Sequence, residues 1–336
     1  MKDPWVNSPD LIRRFSDIRP HYEKLCSEVQ YILQKRLQAA GIETASVTCR
    51  AKTLGSFLAK VDRKSYSDPF KDIADFAGAR VVCLYLDDIP AIEGIVQAEF
   101  EVDARVDKLA EKKPNEFGYG ALHFVVRLGE KSSGARYDDL KDLRCEIQVR
   151  TVLQDAWAII AHHLVYKNED AIPSTIQRQL NGLAGALETA DNQFQQIRKQ
   201  RQAYVEEVRG SRDEPTRFLA TELNLDSYRE YLQWRFPDKP VDAFEGQLAT
   251  NFGITQEAGY RTLADLHNAL DDDLLARADH AVKELLYSYR YSITPACAHV
   301  TLALIMGNPE LARPPWVTPG IFVAIEMYAR RKLSNE

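Results

Sequence analysis

The chain of 336 residues has only five cysteines, Cys26, Cys49, Cys83, Cys145 and Cys297, widely spaced and never arranged as Cys-x-x-Cys. That odd, scattered set excludes a disulfide framework and a cysteine-based zinc site, and predicts small core residues in a reducing cytoplasm. Long apolar runs are missing too. Met1-Lys2-Asp3-Pro4-Trp5 carries no hydrophobic signal region, and the stretch around Val300 to Met306 is too short to span a bilayer. No membrane partner is expected. Nor is there an excess of positive charge: 43 Lys plus Arg stand against 49 Asp plus Glu, a formal net charge of -6, so no chain-wide basic field attracts nucleic acid. Fixed-period repeats and low-complexity tracts are lacking. The remaining composition, 45% hydrophobic and 27% charged, belongs to a chain that folds throughout and is long enough for two domains.

Apolar residues Tyr22, Leu25, Val29, Ile32, Leu33 and Leu37 recur at helical spacing from about Pro20 to Ala40, with Gly41 as the stop. Strand patterns follow at Ser46 to Lys52, Ala79 to Leu84, Phe100 to Asp107, Leu122 to Leu128 and Leu143 to Val149, with helical patterns around Ser56 to Lys64 and Ile89 to Ala98. The last three strands leave no room for crossover helices. The expected fold class is therefore α+β, a mixed β-sheet flanked by helices. From Val152 the period is helical, and Leu180, Leu183, Leu187, Phe194 and Ile197 mark one face of a long helix. Gly210-Ser211-Arg212-Asp213-Glu214-Pro215 has linker composition. The expected domains are residues 1–210 and an all-α accessory domain, 211–336, with helices around Phe218 to Trp234, Ala258 to Leu270, Asp273 to Tyr289 and Pro319 to Leu333. The second half carries thirteen basic and eighteen acidic side chains.

Chemistry-bearing residues collect in four places. Arg50 and Lys52 share one face of a strand, and Ser56 and Lys60 one face of the next helix, with Arg63 and Lys64 beyond. Such a set either converges on a polyanion such as a triphosphate or forms a solvated edge. Asp75 enters an apolar strand ahead of Gly78 and Arg80, where its carboxylate either meets a divalent ion or caps a turn. Gly118 and Gly120 flank Tyr119, whose ring is free to stack on a base, and His123 opens the next strand. Glu146, Gln148 and Arg150 alternate with Ile147 and Val149, which sends three polar groups to one face. Trp157, His162 and Tyr166 read as packing, whereas Lys167 is a further candidate.

In order, these stretches resemble the synthetase domain of the RelA/SpoT family, the alarmone pyrophosphokinases. They match its Arg-x-Lys-x-x-x-Ser-x-x-x-Lys stretch, Asp-x-x-Gly-x-Arg strand entrance, Gly-Tyr-x-x-x-His loop, and Glu-x-Gln-x-Arg-Thr followed by Trp and Tyr-Lys. The resemblance covers about residues 20–205. It implies a nucleotidyltransferase-like fold and transfer of the β,γ-pyrophosphate of ATP to the 3′-hydroxyl of GDP or GTP, with AMP released. It also implies that Arg50 and Arg80 sandwich the adenine, that Lys52, Ser56 and Lys60 hold the phosphates with Arg63 and Lys64 as helpers, and that Asp75 and Glu146 are the catalytic carboxylates holding Mg2+. Glu146 would take the proton of the attacking hydroxyl. Tyr119, His123, Gln148, Arg150 and Lys113 would serve the acceptor.

Phe117 before the loop and Gly120-Ala121 after the tyrosine depart from the family's acceptor pattern, so the acceptor stays open. The alternatives are an adenosine nucleotide or the 3′ end of tRNA, the latter a toxic activity paired with an antitoxin. For tRNA the candidate phosphate contacts are Arg13-Arg14, Lys112-Lys113, Arg198-Lys199-Arg201 and Arg330-Arg331-Lys332. A reading of another class is a non-catalytic nucleotide sensor. No His-Asp pair of the family's hydrolase domain occurs, so alarmone hydrolysis is not expected. The resemblance further implies a homo-oligomer through the 173–205 helix, and the acidic second half is a candidate regulatory or antitoxin-like element.

Overall fold

A computed structural model describes residues 9–64, 66–107, 120–165, 173–243, 246–289 and 295–311. Tyr119, Lys112, Lys113, Tyr166, Lys167, Arg330-Arg331-Lys332 and the helix expected over Pro319 to Leu333 lie outside the described residues.

Helix α1 (Pro9–Ala39) begins eleven residues earlier than the periodicity around Pro20 predicts. Proline reads as a helix start, but here Ile12 and Phe15 continue the buried stripe upstream of it. Tertiary burial outweighs the hydrogen bond that Pro20 cannot make. Next come β1 (Thr44–Ala51), α2 (Leu54–Arg63), the short α3 (Pro69–Asp72), β2 (Ala77–Cys83), α4 (Asp88–Glu99), β3 (Phe100–Asp107), β4 (Leu122–Leu128) and β5 (Cys145–Thr151). The sheet order is β1-β2-β5-β4-β3. Only the central β2–β5 pair is parallel; the other three pairs are antiparallel. The expected mixed sheet is thus observed.

Period-two alternation gives this sheet two chemically different faces. Ala79, Ile147 and Phe124 lie in one register row, all buried, on the side covered by α1 and α4. Thr48, Arg80, Gln148 and His123 form the next row, on the opposite face. Cys26, Cys83 and Cys145 are buried and Cys49 partly so, all as free thiols.

At Thr151 the chain passes directly from β5 into α5 (Val152–Val165). The Thr151 hydroxyl accepts the Gln154 N–H at 3.1 Å while the Gln154 side chain accepts the Thr151 N–H at 2.9 Å, a reciprocal cap that starts the helix at once. The same hydroxyl donates to buried Asp191 at 2.6 Å, fastening α6 (Ser174–Gly210) to the end of β5.

The chain divides into two compact units, Met1–Arg198 and Lys199–Glu336, and the division falls inside α6. Residues 210–215 are not an open linker. Gly210 ends α6, Ser211–Asp213 form a 3-10 turn with Ser211 buried, and Pro215 opens α7 (Pro215–Leu219). The second unit continues with α8 (Leu225–Arg235), α9 (Gln247–Glu257), α10 (Leu263–Ala269), α11 (Asp272–Tyr289) and α12 (Ala296–Gly307). The single helix expected over Ala258 to Leu270 is instead a break between two. Gly259 takes a positive φ of 78°, and Thr262 with Asp265 forms a capping box that begins α10. Helix α12 is buried on nearly all sides, so it lacks an amphipathic stripe; its sequence therefore reads only as an apolar run. Among the described residues no helix is long and apolar enough to cross a membrane.

Candidate active site

The polar face of β1, β2 and β5 floors a cavity of ≈ 340 Å³ lined by Thr48, Arg50, Lys52, Thr53, Ser56, Asp75, Gly78, Arg80, Glu146 and Gln148, with the edges of Ala51 and Ala79. Arg50, Gly78 and Glu146 stand in one register row. A Cβ placed on Gly78 would meet nothing within 4 Å, so the glycine leaves room over the floor between a cation and a carboxylate.

Two loops bring the remaining groups in. Phe76 and Phe57 are buried with their rings 5.5 Å apart, which anchors the approach to β2 and turns one face of α2 to the core. The opposite side of α2 presents Ser56 and Lys60. Thr53 caps α2, its hydroxyl accepting the Ser56 N–H at 3.3 Å. The N-terminal end of this helix therefore borders the cavity, a favourable place for an anion.

Asp75 accepts a hydrogen bond from Lys52 Nζ at 2.6 Å and from Lys60 Nζ at 2.9 Å. Burial pushes its pKa up, but the two lysines outweigh burial and hold the carboxyl below the usual range. Glu146 Oε1 lies 2.7 Å from His123 Nδ1. That bond lowers the Glu146 pKa, against burial and the nearby Asp75 charge, which raise it. Asp75 and Glu146 line the same cavity, and the Asp75 charge acts on Glu146. Among the described residues no group of three or more His, Cys, Asp or Glu could hold a metal ion alone. Two ionised carboxylates form the partial oxygen donor set that Mg2+ takes together with substrate phosphates, and in that sense they fit it.

Of the residues singled out in the sequence, Arg50, Lys52, Ser56, Asp75, Arg80, Glu146 and Gln148 line one cavity. Lys60 and His123 join it through the carboxylates, and Arg150 through its hydrogen bond to Gln148 Oε1 at 3.0 Å. Arg63 and Lys64 are exposed at the far end of α2 and are not brought into the lining. Sequence reasoning missed Thr48 and Thr53, and above all Asp155, which pairs with Arg80 and Arg150 from the first turn of α5. The signal was present: an acidic residue one helical turn past the strand that ends in Arg150-Thr151.

A family model described as "Region found in RelA / SpoT proteins" matches residues 49–171. The GTP pyrophosphokinase YjbM of Bacillus subtilis is 33% identical over 155 residues, which cover 45% of this chain and 71% of YjbM. The chain belongs to the RelA/SpoT family. A second RelA/SpoT relative, the GTP pyrophosphokinase YwaC of the same organism, is 26% identical over 157 residues, 45% of this chain and 72% of YwaC. The crystal structure of the small alarmone synthetase 1 from Bacillus subtilis superposes with a TM-score of 0.48 at 28% identity, covering 56% of this chain and 98% of that one. Homologues of this RelA/SpoT chain are thus GTP pyrophosphokinases, and the reaction class that comes with them is pyrophosphoryl transfer.

Proposed function

We propose that the chain transfers the β,γ-pyrophosphate of ATP to the 3′-hydroxyl of GDP or GTP, making (p)ppGpp and releasing AMP. The observation that carries this reading is the gathering of Arg50, Arg80, Lys52, Ser56, Asp75 and Glu146 around one cavity, in a chain related to GTP pyrophosphokinases. The planar guanidiniums of Arg50 and Arg80 suit the two faces of the donor base. Lys52, Lys60 and Ser56 suit its phosphates, which offer the lysines the same charge-assisted bonds that Asp75 gives them now. Asp75 and Glu146 would hold Mg2+, which when bound neutralises phosphate charge. Glu146, ionised and oriented by His123, is in the state needed to accept the proton of the attacking hydroxyl. No step requires the protein to form a covalent bond, so positioning and charge do most of the catalysis.

The tRNA alternative receives less support from the described cations. Arg14 lies over the Phe70 ring, Arg198 is paired with Asp88, and Arg201 is paired with Asp226. A cytoplasmic location and self-association belong to the same reading. The latter is supported by Leu183, Phe194 and Ile197, which leave 50%, 51% and 59% of their surface exposed on one helix.

Purified protein incubated with γ-labelled ATP and, separately, GDP, GTP, ADP, ATP or deacylated tRNA tests the proposal. Label on GDP or GTP is expected. Label on ADP, ATP or tRNA alone would replace the acceptor, and no transfer to any of them would favour the nucleotide sensor. Release of pyrophosphate from supplied alarmone, which is not expected, would add a hydrolase activity.

A further inference from the structure

Arg80 and Arg150 stand on neighbouring parallel strands, Arg80 opposite Gln148 and Arg150 two residues on, so both project from the polar face of the sheet. Two guanidiniums so close repel each other. Burial and the Arg80 charge both disfavour the protonated form of Arg150. The shared counter-charge comes from the next element. Asp155 Oδ1 lies 3.0 Å from Arg80 and 3.5 Å from Arg150, with only 17% of its side chain exposed. Arg80 lines the cavity, whereas neither Asp155 nor Arg150 is among the described residues that do so.

The arrangement is poorly suited to stability alone. Asp155 Oδ1 and Arg150 Nε are buried without an aligned hydrogen-bond partner, and buried charges that lack good hydrogen bonds offset little of their desolvation cost. Its geometry is nonetheless closely determined. The Thr151–Gln154 cap fixes the start of α5, and Asp155 is the next residue. A carboxylate set behind a binding arginine, on a capped helix, restrains the direction of that arginine before any ligand arrives.

We propose that Asp155 is a positioning residue, which holds the Arg80 guanidinium in the orientation that receives the base of the donor nucleotide while neutralising the Arg80–Arg150 pair. This rests on the reading of Arg80 as a donor-base contact, and it adds a residue outside the cavity that acts only through Arg80.

The test is a double-mutant cycle read by calorimetric binding of a non-hydrolysable ATP analogue, α,β-methylene-ATP with Mg2+, alongside the thermal transition of each variant. Arg80→Ala should weaken the analogue. Asp155→Asn should weaken it about tenfold, within the range of couplings measured between contacting residues, and leave the thermal transition close to that of the parent chain. Combining Asp155→Asn with Arg80→Ala should add nothing to the loss caused by Arg80→Ala. A merely structural role would instead subtract the same affinity in both backgrounds. If Arg80→Ala weakens binding and Asp155→Asn does not, the positioning role is overturned and the donor reading stands. If Arg80→Ala itself has no effect, the donor-base reading fails and the inference falls with it. Should Asp155→Asn not fold, Asp155→Glu keeps the charge while displacing it by one methylene; weakened binding then supports the role, and unchanged binding overturns it.

Discussion

Asp75 and Glu146 are kept ionised by different means: Asp75 by two lysines, Glu146 by an imidazole. Replacing either with its amide keeps the shape and removes the charge. Asp75→Asn and Glu146→Gln should each lower turnover at least ~100-fold, the scale of losing a main electrostatic contributor, as measured by transfer of labelled phosphate. A fully active Glu146→Gln enzyme would remove Glu146 from the chemistry. Gly78 gives a converse test. Its Cβ position is open space and its backbone is ordinary strand, so Gly78→Ala should leave the thermal transition unchanged or raise it. The added methyl nonetheless occupies the cavity floor between Arg50 and Glu146, and nucleotide affinity should fall about tenfold, a loss within the range for an imperfectly filled or overfilled site. Calorimetry of binding and of unfolding on the same sample separates the two effects.

At the scale of elements, the β5–α5 junction does the most to place the site. One threonine ends a strand, caps a helix and donates to α6 through Asp191, which is 4% exposed. Asp191→Ala leaves the buried Thr151 hydroxyl without this acceptor and should cost about 1–3 kcal/mol in urea unfolding. Because the Thr151–Gln154 cap does not involve Asp191, α5 should keep its helical amide protection in that variant. The strands were legible in the sequence because their period-two pattern coincides with burial: Phe100–Asp107 and Leu122–Leu128 have the expected bounds. The start of α1, the Gly259 break and α12 were not. Each depends on burial against distant residues, or on a local cap that competes with a continuing apolar pattern.

At the scale of the whole chain, two hydrophobic cores carry the fold. Val208 is buried in the second core and Tyr204 packs on it, while Arg209 and Arg212 hold the buried Glu230. A fragment of residues 199–336 should therefore melt cooperatively. A fragment of 211–336 loses Val208 and the Arg209 partner and should be less stable by about 2–5 kcal/mol, the range for removing buried apolar groups and one partner of a buried charge pair; comparing their thermal transitions checks this. The second core also contains His299, which is 4% exposed. Its Nε2 donates to the Leu275 carbonyl at 3.2 Å. Burial lowers its pKa from the ordinary 6.5, with the Lys239 charge adding to the shift, while the Leu275 carbonyl and Asp279 oppose it. The folded chain therefore takes up this proton at lower pH than the unfolded chain. The stability His299 confers is present above pH 6.5 and lost as the pH falls through the lower folded value. Amide protection in α12 should decline over that interval, and His299→Leu should flatten the decline.

What the sequence by itself determined was the inventory of the site and the sheet that carries it. Arg50, Arg80, Glu146 and Gln148 could be named because strand alternation commits polar residues to one face, whatever lies above it, and Lys52 and Asp75 because they stand at the end of β1 and the approach to β2. Tertiary structure alone decided the partnerships: Lys52 and Lys60 on Asp75, His123 on Glu146, Asp155 between two arginines. Each joins residues from different elements, and a charge has no periodicity by which a sequence could announce its partner. The domain boundary was decided in the same way. The polar run at 210–215, opened by one glycine and closed by one proline, reads as a linker, but the division at Arg198 follows from which apolar side chains share a core.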